Sequence, residues 1–314
     1  MRQSLAIDLG GLALANPVLA ASGCLGTGAD VPGALVDLHR LGAVVTRSLT
    51  YSGSKGWPTP RAAETSSGVL SAVGTQNPGV QAFLAQDLPR FRKAGVPLIA
   101  SVAGSSLDEY VHVAGALHLQ HGIVGLEVYL SCPDEEREGE PFYGRIERLT
   151  EIVGAVARLS RVPVFAKLPA FVPGLVETAR ACVRAGAFGL TLIDAVPALA
   201  VDAERLRTKT AIPVGGLSGP AIKPIALAAV YQVARALPNV PVLGVGGVTT
   251  GEDAVEFLLA GAWAVQVGTA LLVDPSAHVE IAKGIVEYLR AKGLTSPADL
   301  RGRLRVLGQN GNGS

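Results

Sequence analysis

Four groups of residues in this chain have types and positions suited to chemistry. Cys132, in Leu130-Ser-Cys-Pro-Asp134, directly follows an apolar run, and Pro133 turns the backbone out of any strand there. A thiol so placed is a base or nucleophile, or else a small buried hydrophobe, the commoner fate of a lone cysteine. Lys167 closes the run Val162-Pro-Val-Phe-Ala-Lys167. An ammonium directed inward there must meet an anion or form a covalent adduct, because burying it unpaired is costly; otherwise it bends out to solvent. Arg47 ends another apolar run, where its planar fork suits a carboxylate or simply lies on the surface. Lastly, Gly244-Val-Gly-Gly-Val248 and Val267-Gly-Thr-Ala270 each follow a short apolar run. Glycines let backbone N–H groups approach a phosphate, and helix N-termini favour its charge, although glycines also make ordinary strand-to-helix turns.

All four groups fall at the carboxyl ends of expected strands. Short apolar strands alternate with Ala/Leu-rich helical segments almost throughout, which argues for a parallel sheet with helical crossovers. Strands are expected near Val18 to Ala20, Ala43 to Thr46, Leu98 to Ala100, Gly125 to Leu130, Val164 to Lys167, Gly189 to Ile193, Val242 to Val245 and Ala264 to Val267. Helices are expected near Gly33 to Leu41, Val80 to Ala94, Leu107 to His118, Arg145 to Leu159, Gly174 to Ala185, Pro220 to Leu237, Gly251 to Ala260 and Ser276 to Ala291. Eight such units make an α/β fold of the (β/α)8 TIM-barrel type, whose carboxyl face carries the active site and whose last two strand ends commonly hold phosphate. A doubly wound open sheet would need a glycine-rich phosphate loop after its first strand, and Gly23-Cys-Leu-Gly26 is not that fingerprint. Two long connections, Arg47 to Pro78 and Asp194 to Leu217, leave the same face and are expected to cover it. The second should form a small hairpin between Ala200-Val-Asp202 and Thr210-Ala-Ile212.

Bulk properties exclude several classes. With 314 residues, 49% hydrophobic and 17% charged, the chain can bury one large core, and residues 1–314 read as a single domain with 308–314 a flexible tail. A formal charge of +1 with dispersed signs offers no footprint for nucleic acid or anionic lipid. No run is long enough to cross a bilayer, and Asp8 and Asn16-Pro17 disrupt the one stretch resembling a secretory core, so a cytoplasmic small-molecule protein is expected. Cys24, Cys132 and Cys182 are too scattered for a disulfide framework, zinc site or cluster, and no metal is expected. Cys182 reads as core. Cys24 could line the site without reacting. His39, His112, His118, His121 and His278 fall on the outer ring, away from chemistry.

Together, Gly215-Gly-Leu-Ser-Gly-Pro-Ala-Ile-Lys-Pro224 with Val230-Tyr-Gln-Val233, Gly74-Thr-Gln-Asn-Pro-Gly79, Ala21-Ser-Gly23, Ser131-Cys-Pro133 and Val267-Gly-Thr269 resemble the class 1B dihydroorotate dehydrogenases, from about Leu12 to Pro275. The resemblance implies an FMN-containing barrel that oxidises dihydroorotate to orotate in pyrimidine biosynthesis. It implies a homodimer, and a partner subunit with FAD and a [2Fe-2S] cluster that passes electrons to NAD. Carried onto this chain, FMN would contact Ala21, Ser22, Gly23, Arg47, Ser48, Ser101 and Ile193, with Lys167 at the flavin edge. Its phosphate would rest on Gly219, Gly246, Gly247, Gly268 and Thr269. Cys132 takes the place of the base that removes the C5 proton while hydride leaves C6; a thiolate suits that task if positive charge or a closing loop supports it. The substrate would lie among Arg47, Ser71, Ala72, Val73, Gly74, Thr75, Tyr129, Asp134, Asp194 and Ala195.

The resemblance also marks departures. Where the family carries a lysine after the second strand and asparagines around the substrate, this chain has Arg47, Ser71, Tyr129, Asp134 and Asp194, and Ser101 near the flavin. Asparagine both donates and accepts hydrogen bonds, whereas ionised aspartate only accepts and repels a substrate carboxylate unless compensated. The alternative expectation is therefore a related FMN oxidoreductase acting on a different ring. A flavin-free isomerase or synthase, or a flavin-binding subunit without turnover, are further alternatives.

Overall fold

In the computed structural model, which describes residues 3–25, 36–137 and 140–307 (backbone only at Asp134 and Glu136), eight parallel strands close into a barrel. They are β1 (Val18–Ala20), β2 (Val44–Val45), β3 (Leu98–Val102), β4 (Ile123–Tyr129), β5 (Val164–Leu168), β6 (Gly189–Leu192), β7 (Val242–Val245) and β8 (Ala264–Val267). Each pairs with its neighbour in sequence, and β8 returns to β1 through Val265 opposite Val18. The helices are α1 (Leu88–Ala94), α2 (Leu107–Leu117), α3 (Ile146–Leu159), α4 (Leu175–Arg184), α5 (Lys223–Ala236), α6 (Gly251–Ala260), α7 (Thr269–Val273) and α8 (Ala277–Ala291). A continuous helical segment with a π turn at Phe83–Asp87 leads into α1.

The strand alternation sorts side chains into two cores. One parity faces the helices, with Val18, Val44, Leu98, Leu126 and Val128 in the larger apolar cluster. The other points into the barrel, where Leu19, Ala43, Val45, Ile99, Phe165, Leu243 and Ala264 form a separate plug. A hairpin of Ile7–Asp8 with Ala13–Leu14 adds Leu9 and Leu14 to that plug. Phe165 fits because its neighbours lack side chains: a Cβ on Gly189 would come within 2.7 Å of its ring. Burying such a side chain contributes about 1.5–3 kcal/mol.

The two long connections meet. Ala62–Thr65, Gly68–Ser71, Gly215–Ser218 and Val196–Ala198 form one antiparallel four-stranded sheet in that order, with Val69 opposite Ser218. The expected hairpin exists with another register: Val201–Asp202 pairs with Arg207–Thr208, not with Thr210 to Ile212. Asp202 tightens the turn by accepting from the Arg205 amide at 3.1 Å, so the chain returns sooner. Residues 26–35 and 308–314, with part of the first expected helix and the expected tail, lie outside the described residues. Residues 38–40 form a 3-10 turn, not the α-helix expected there.

Helices α6 and α8 touch through glycines. A Cβ on Gly251 would lie 2.5 Å from Gly284 Cα, a backbone atom that cannot swing away. Gly251→Ala should therefore cost about 1–3 kcal/mol. Urea unfolding should show a lower midpoint at unchanged slope; a wild-type midpoint would contradict this packing.

Candidate active site

One residue pair above the apolar plug, the inward parity becomes polar. Glu127 on β4, Lys167 on β5, Thr191 on β6 and Gln266 on β8 share this level, and all are buried. Glu127, fully inaccessible, accepts from Thr191 Oγ1 and from Gln266 Nε2, each at 2.9 Å. Its other oxygen is 3.6 Å from Lys167 Nζ, and Asp194, just beyond β6, stands 3.7 Å from the same ammonium. Burial alone would lower the lysine pKa; the two carboxylates outweigh it and raise the value, so Lys167 is a held cation. Asp194 also accepts from Ser131 Oγ at 2.7 Å. Tyr129, the next inward position on β4, lies beside both, and burial and then Asp194 raise its phenol well above the ordinary range.

Two thiols flank this cluster in different fields. Cys132 is 6% exposed, directly after β4, and burial pushes its thiol up to about 11. Asp194 and Glu109 push the same way, so the expected supporting positive charge is not what surrounds it; nearby Tyr110 and the Gly104 backbone act against burial instead. Burial likewise raises Cys24 to about 11, but here Lys167 and Arg47 are the opposing influences. The cationic side of the mouth thus faces Cys24. Cys182 is wholly buried in α4, as expected of core.

Around the rim the sequence candidates for cofactor contact come together. Gly219 and Gly247 take positive φ of 94° and 76°, and a Cβ on Gly247 would lie 2.9 Å from the Gly219 carbonyl oxygen. A Cβ on Gly268 would lie 3.6 Å from Ala21 Cβ and 3.5 Å from Cys24 Sγ. Thr269 donates to Ser218 Oγ at 2.8 Å, and Gly246 packs on Ala226. Ser48 and Ser101 hydrogen-bond each other at 2.8 Å, and Ile193 is tied to β7 through Val245. Ser22 and Gly23 continue the turn from Ala21. Arg47 donates from Nη1 to the Gln76 carbonyl at 3.0 Å, leaving its Nε buried and without a partner. Gln266 Oε1 is likewise buried without a hydrogen-bond partner, while Glu127 Oε1 lacks one but faces the Lys167 ammonium. A planar group bearing N–H donors and carbonyls would satisfy such atoms, and glycines let backbone N–H groups approach a phosphate closely. The residues present therefore fit a flavin.

The substrate candidates are arranged less uniformly. Ser71 is a strand residue paired with Gly216, and Ala72 donates to the Arg61 carbonyl. Val73, Gly74 and Thr75 form a loop stitched by Asn77, whose side chain donates to the Thr75 carbonyl and accepts from the Thr50 and Gly79 amides. Ala195 packs under Gly216. Asp134 pairs through its backbone with Glu140, while its side chain lies outside the described residues. The histidines stay off the mouth: His278 is buried under Asp37 and His118 receives the Arg161 amide. Glu127, Thr191, Gln266 and Tyr110 were not singled out from sequence. A signal existed for Glu127, a charge within the apolar run Gly125 to Leu130 at the parity of Tyr129.

The dihydroorotate dehydrogenase family model matches residues 4–289. Curated relatives include the catalytic subunit of dihydroorotate dehydrogenase B (NAD(+)) from Geotalea daltonii, 42% identical, covering 97% of this chain and 99% of that protein. The corresponding Shouchella clausii subunit is 41% identical over 96% of this chain and 98% of its own length. Among solved structures, a DHODH from Eimeria tenella in complex with ferulenol superposes with a TM-score of 0.79 at 19% identity, covering 95% of this chain and 88% of that one. At that identity the likeness speaks to the fold. Among the described residues no group of side chains is arranged to hold a metal, and no helix is long and apolar enough to cross a membrane.

Beneath the cradle, Lys223 bridges Asp253 at 2.6 Å and Glu256 at 2.9 Å. Asp253 also accepts from Thr249 and Thr250 and completes the α6 capping box. Burial opposes its ionisation, yet Lys223 and the threonine donors bring its pKa down to about 2. Because the folded value lies below the unfolded one, its stabilisation is complete above about pH 4 and vanishes as pH falls toward about 2. Asp253→Asn should lower stability at neutral pH and flatten the acid limb of stability against pH in urea titrations. An acid limb as steep as wild type would contradict the assignment.

Proposed function

The chain belongs to the dihydroorotate dehydrogenase family, and on that premise we propose that its barrel mouth binds FMN and oxidises (S)-dihydroorotate to orotate in pyrimidine biosynthesis. The observation that carries this reading is a lysine cation held at the strand ends by two carboxylates, one of which, Asp194, also acts on the buried thiol of Cys132. Gly219, Gly246, Gly247, Gly268 and Thr269 would hold the phosphate through their backbone N–H groups, and Ala21, Ser22, Gly23, Ser48, Ser101 and Ile193 would border the rings. When bound, the flavin supplies the acceptor for the hydride that leaves C6 of the substrate.

The chain's own residues supply the rest. Cys132, as thiolate, takes the C5 proton onto sulfur. Lys167 favours negative charge as it develops at the flavin edge, and Glu127 fixes its position from below. Arg47, with Nε unpaired, offers its fork to the substrate carboxylate, and Asp194 accepts from a ring N–H. Ser71, Tyr129, Gly74 and Thr75 would complete the pocket wall with Ala72, Val73 and Ala195. The departure at Asp194, which argued for another ring, loses force because Lys167 and Ser131 already engage that carboxylate. Its charge is compensated.

The relatives' designation as NAD(+)-linked catalytic subunits supports a partner subunit that carries electrons to NAD. FAD and a [2Fe-2S] cluster in that partner, a homodimer of this chain and a cytoplasmic setting belong to the same proposal. Anaerobic mixing of the FMN-loaded protein with dihydroorotate should bleach the flavin absorbance within seconds. Cys132→Ser should slow that bleaching by about a hundredfold or more at neutral pH. Flavin that stays oxidised in the presence of saturating dihydroorotate would overturn the substrate.

A further inference from the structure

The loop after the Gly68–Ser71 strand treats its two kinds of backbone polar group differently. Four consecutive carbonyls are taken. Val73 accepts from the Trp57 amide at 2.9 Å, Gly74 from Ser54 Oγ at 3.4 Å, Thr75 from Asn77 Nδ2 at 2.8 Å and Gln76 from Arg47 Nη1 at 3.0 Å. The amides of the same four residues have no hydrogen-bond partner among the described residues. Residues 73–75 are half-buried, so these donors stay within reach of a ligand. Consecutive N–H groups beside a guanidinium with an unpaired Nε suit a carboxylate, which takes several donors at once.

Such an arrangement needs an unusual backbone. Gly74 and Thr75 take φ of 72° and 54°, a region open to glycine but costly for a β-branched side chain. Thr75 stays there only if its surroundings hold it. Asn77 does so. Its side chain is buried; Nδ2 donates to the Thr75 carbonyl at 2.8 Å and to Thr50 Oγ1 at 3.0 Å, while Oδ1 accepts from the Thr50 amide at 3.1 Å and the Gly79 amide at 2.9 Å. One carboxamide thus fastens Thr75 to the segment that runs from Arg47 to Thr50. The Asn77 backbone is anchored separately, by a two-bond bridge with Ser54 at 2.9 and 3.0 Å, so the residue keeps its place without its side chain.

We propose that Asn77 is a positioning residue for substrate binding: its carboxamide traps Thr75 in the left-handed conformation that leaves the amides of residues 73–76 free for the substrate carboxylate beside Arg47. The inference rests on the function proposed above, which supplies that carboxylate. Two contacts act together. The carboxamide engages the Thr75 carbonyl and Arg47 engages that of Gln76, so neither oxygen is left to oppose an anion. Trp57 packs on Gly74, whose missing side chain makes room for the indole. Because the trap serves the carboxylate and not the reacting carbons, it governs affinity more than the rate of the bound complex.

In the FMN-loaded protein, Asn77→Ala should raise KM for dihydroorotate about tenfold while kcat changes by less than about twofold. Titrations followed by flavin absorbance should show orotate bound about tenfold more weakly, and methyl orotate, its carboxylate capped as an ester, little affected. Thr75→Gly supplies a residue that takes positive φ unaided, so in that background Asn77→Ala should raise KM only about twofold. Should Asn77→Ala not fold, Thr50→Val keeps the side-chain shape and removes the hydroxyl that Asn77 holds, and a smaller rise in KM is expected. Unchanged KM and orotate affinity in Asn77→Ala, or an equal defect in both backgrounds, overturn the trap and leave the substrate standing. Wild-type flavin that dihydroorotate fails to reduce overturns the function, and this inference with it.

Discussion

A lysine ammonium enclosed in a barrel sets the terms for the rest of this structure. Lys167 is 6% exposed, and its charge is tolerable only because Glu127 and Asp194 stand within 4 Å of it. Removing one partner from a buried pair usually costs about 3–5 kcal/mol, because the charge left behind is stranded. The carboxylates need support in turn. Glu127 receives Thr191 and Gln266 from two other strands, and Asp194 receives Ser131 from the end of β4. Barrel closure makes this affordable, since four strands deliver inward side chains to one level above an apolar plug.

That charge distribution divides the mouth. The cationic flank, Lys167 and Arg47, lies toward Cys24 and the glycine rim, where a flavin phosphate and an anionic reduced ring would be favoured. The opposite flank presents carboxylates and neutral donors to Cys132. Two thiols in one pocket thus meet different surroundings. Burial raises both, so neither ionises without help from what binds or from the donors already placed.

Much of this was legible in the sequence, and the part that was not has a physical reason. Short apolar runs alternating with helical segments located all eight barrel strands within a few residues, and Arg47 and Lys167 stood out at strand ends. Gly246, Gly247 and Gly268 followed from their place after apolar runs, while Gly219 came from the family resemblance. The four-stranded sheet over the mouth was not legible, since Val69 and Ser218 pair across almost half of the chain and neither strand is apolar enough to stand out. The polar level escaped for another reason: Glu127, Thr191 and Gln266 gain meaning only once closure brings distant strands together. Tyr110, which the sequence did not mark, is buried and its hydroxyl donates to the Tyr129 carbonyl at the end of β4.

The central claim is that the caged Lys167 charge faces a flavin at the strand ends. The flavin midpoint potential of the FMN-loaded protein, measured beside that of Lys167→Met, tests it most directly. The structure predicts a lower potential in the variant, because the reduced ring loses its cation while both carboxylates remain. Equal potentials in the two proteins would contradict it.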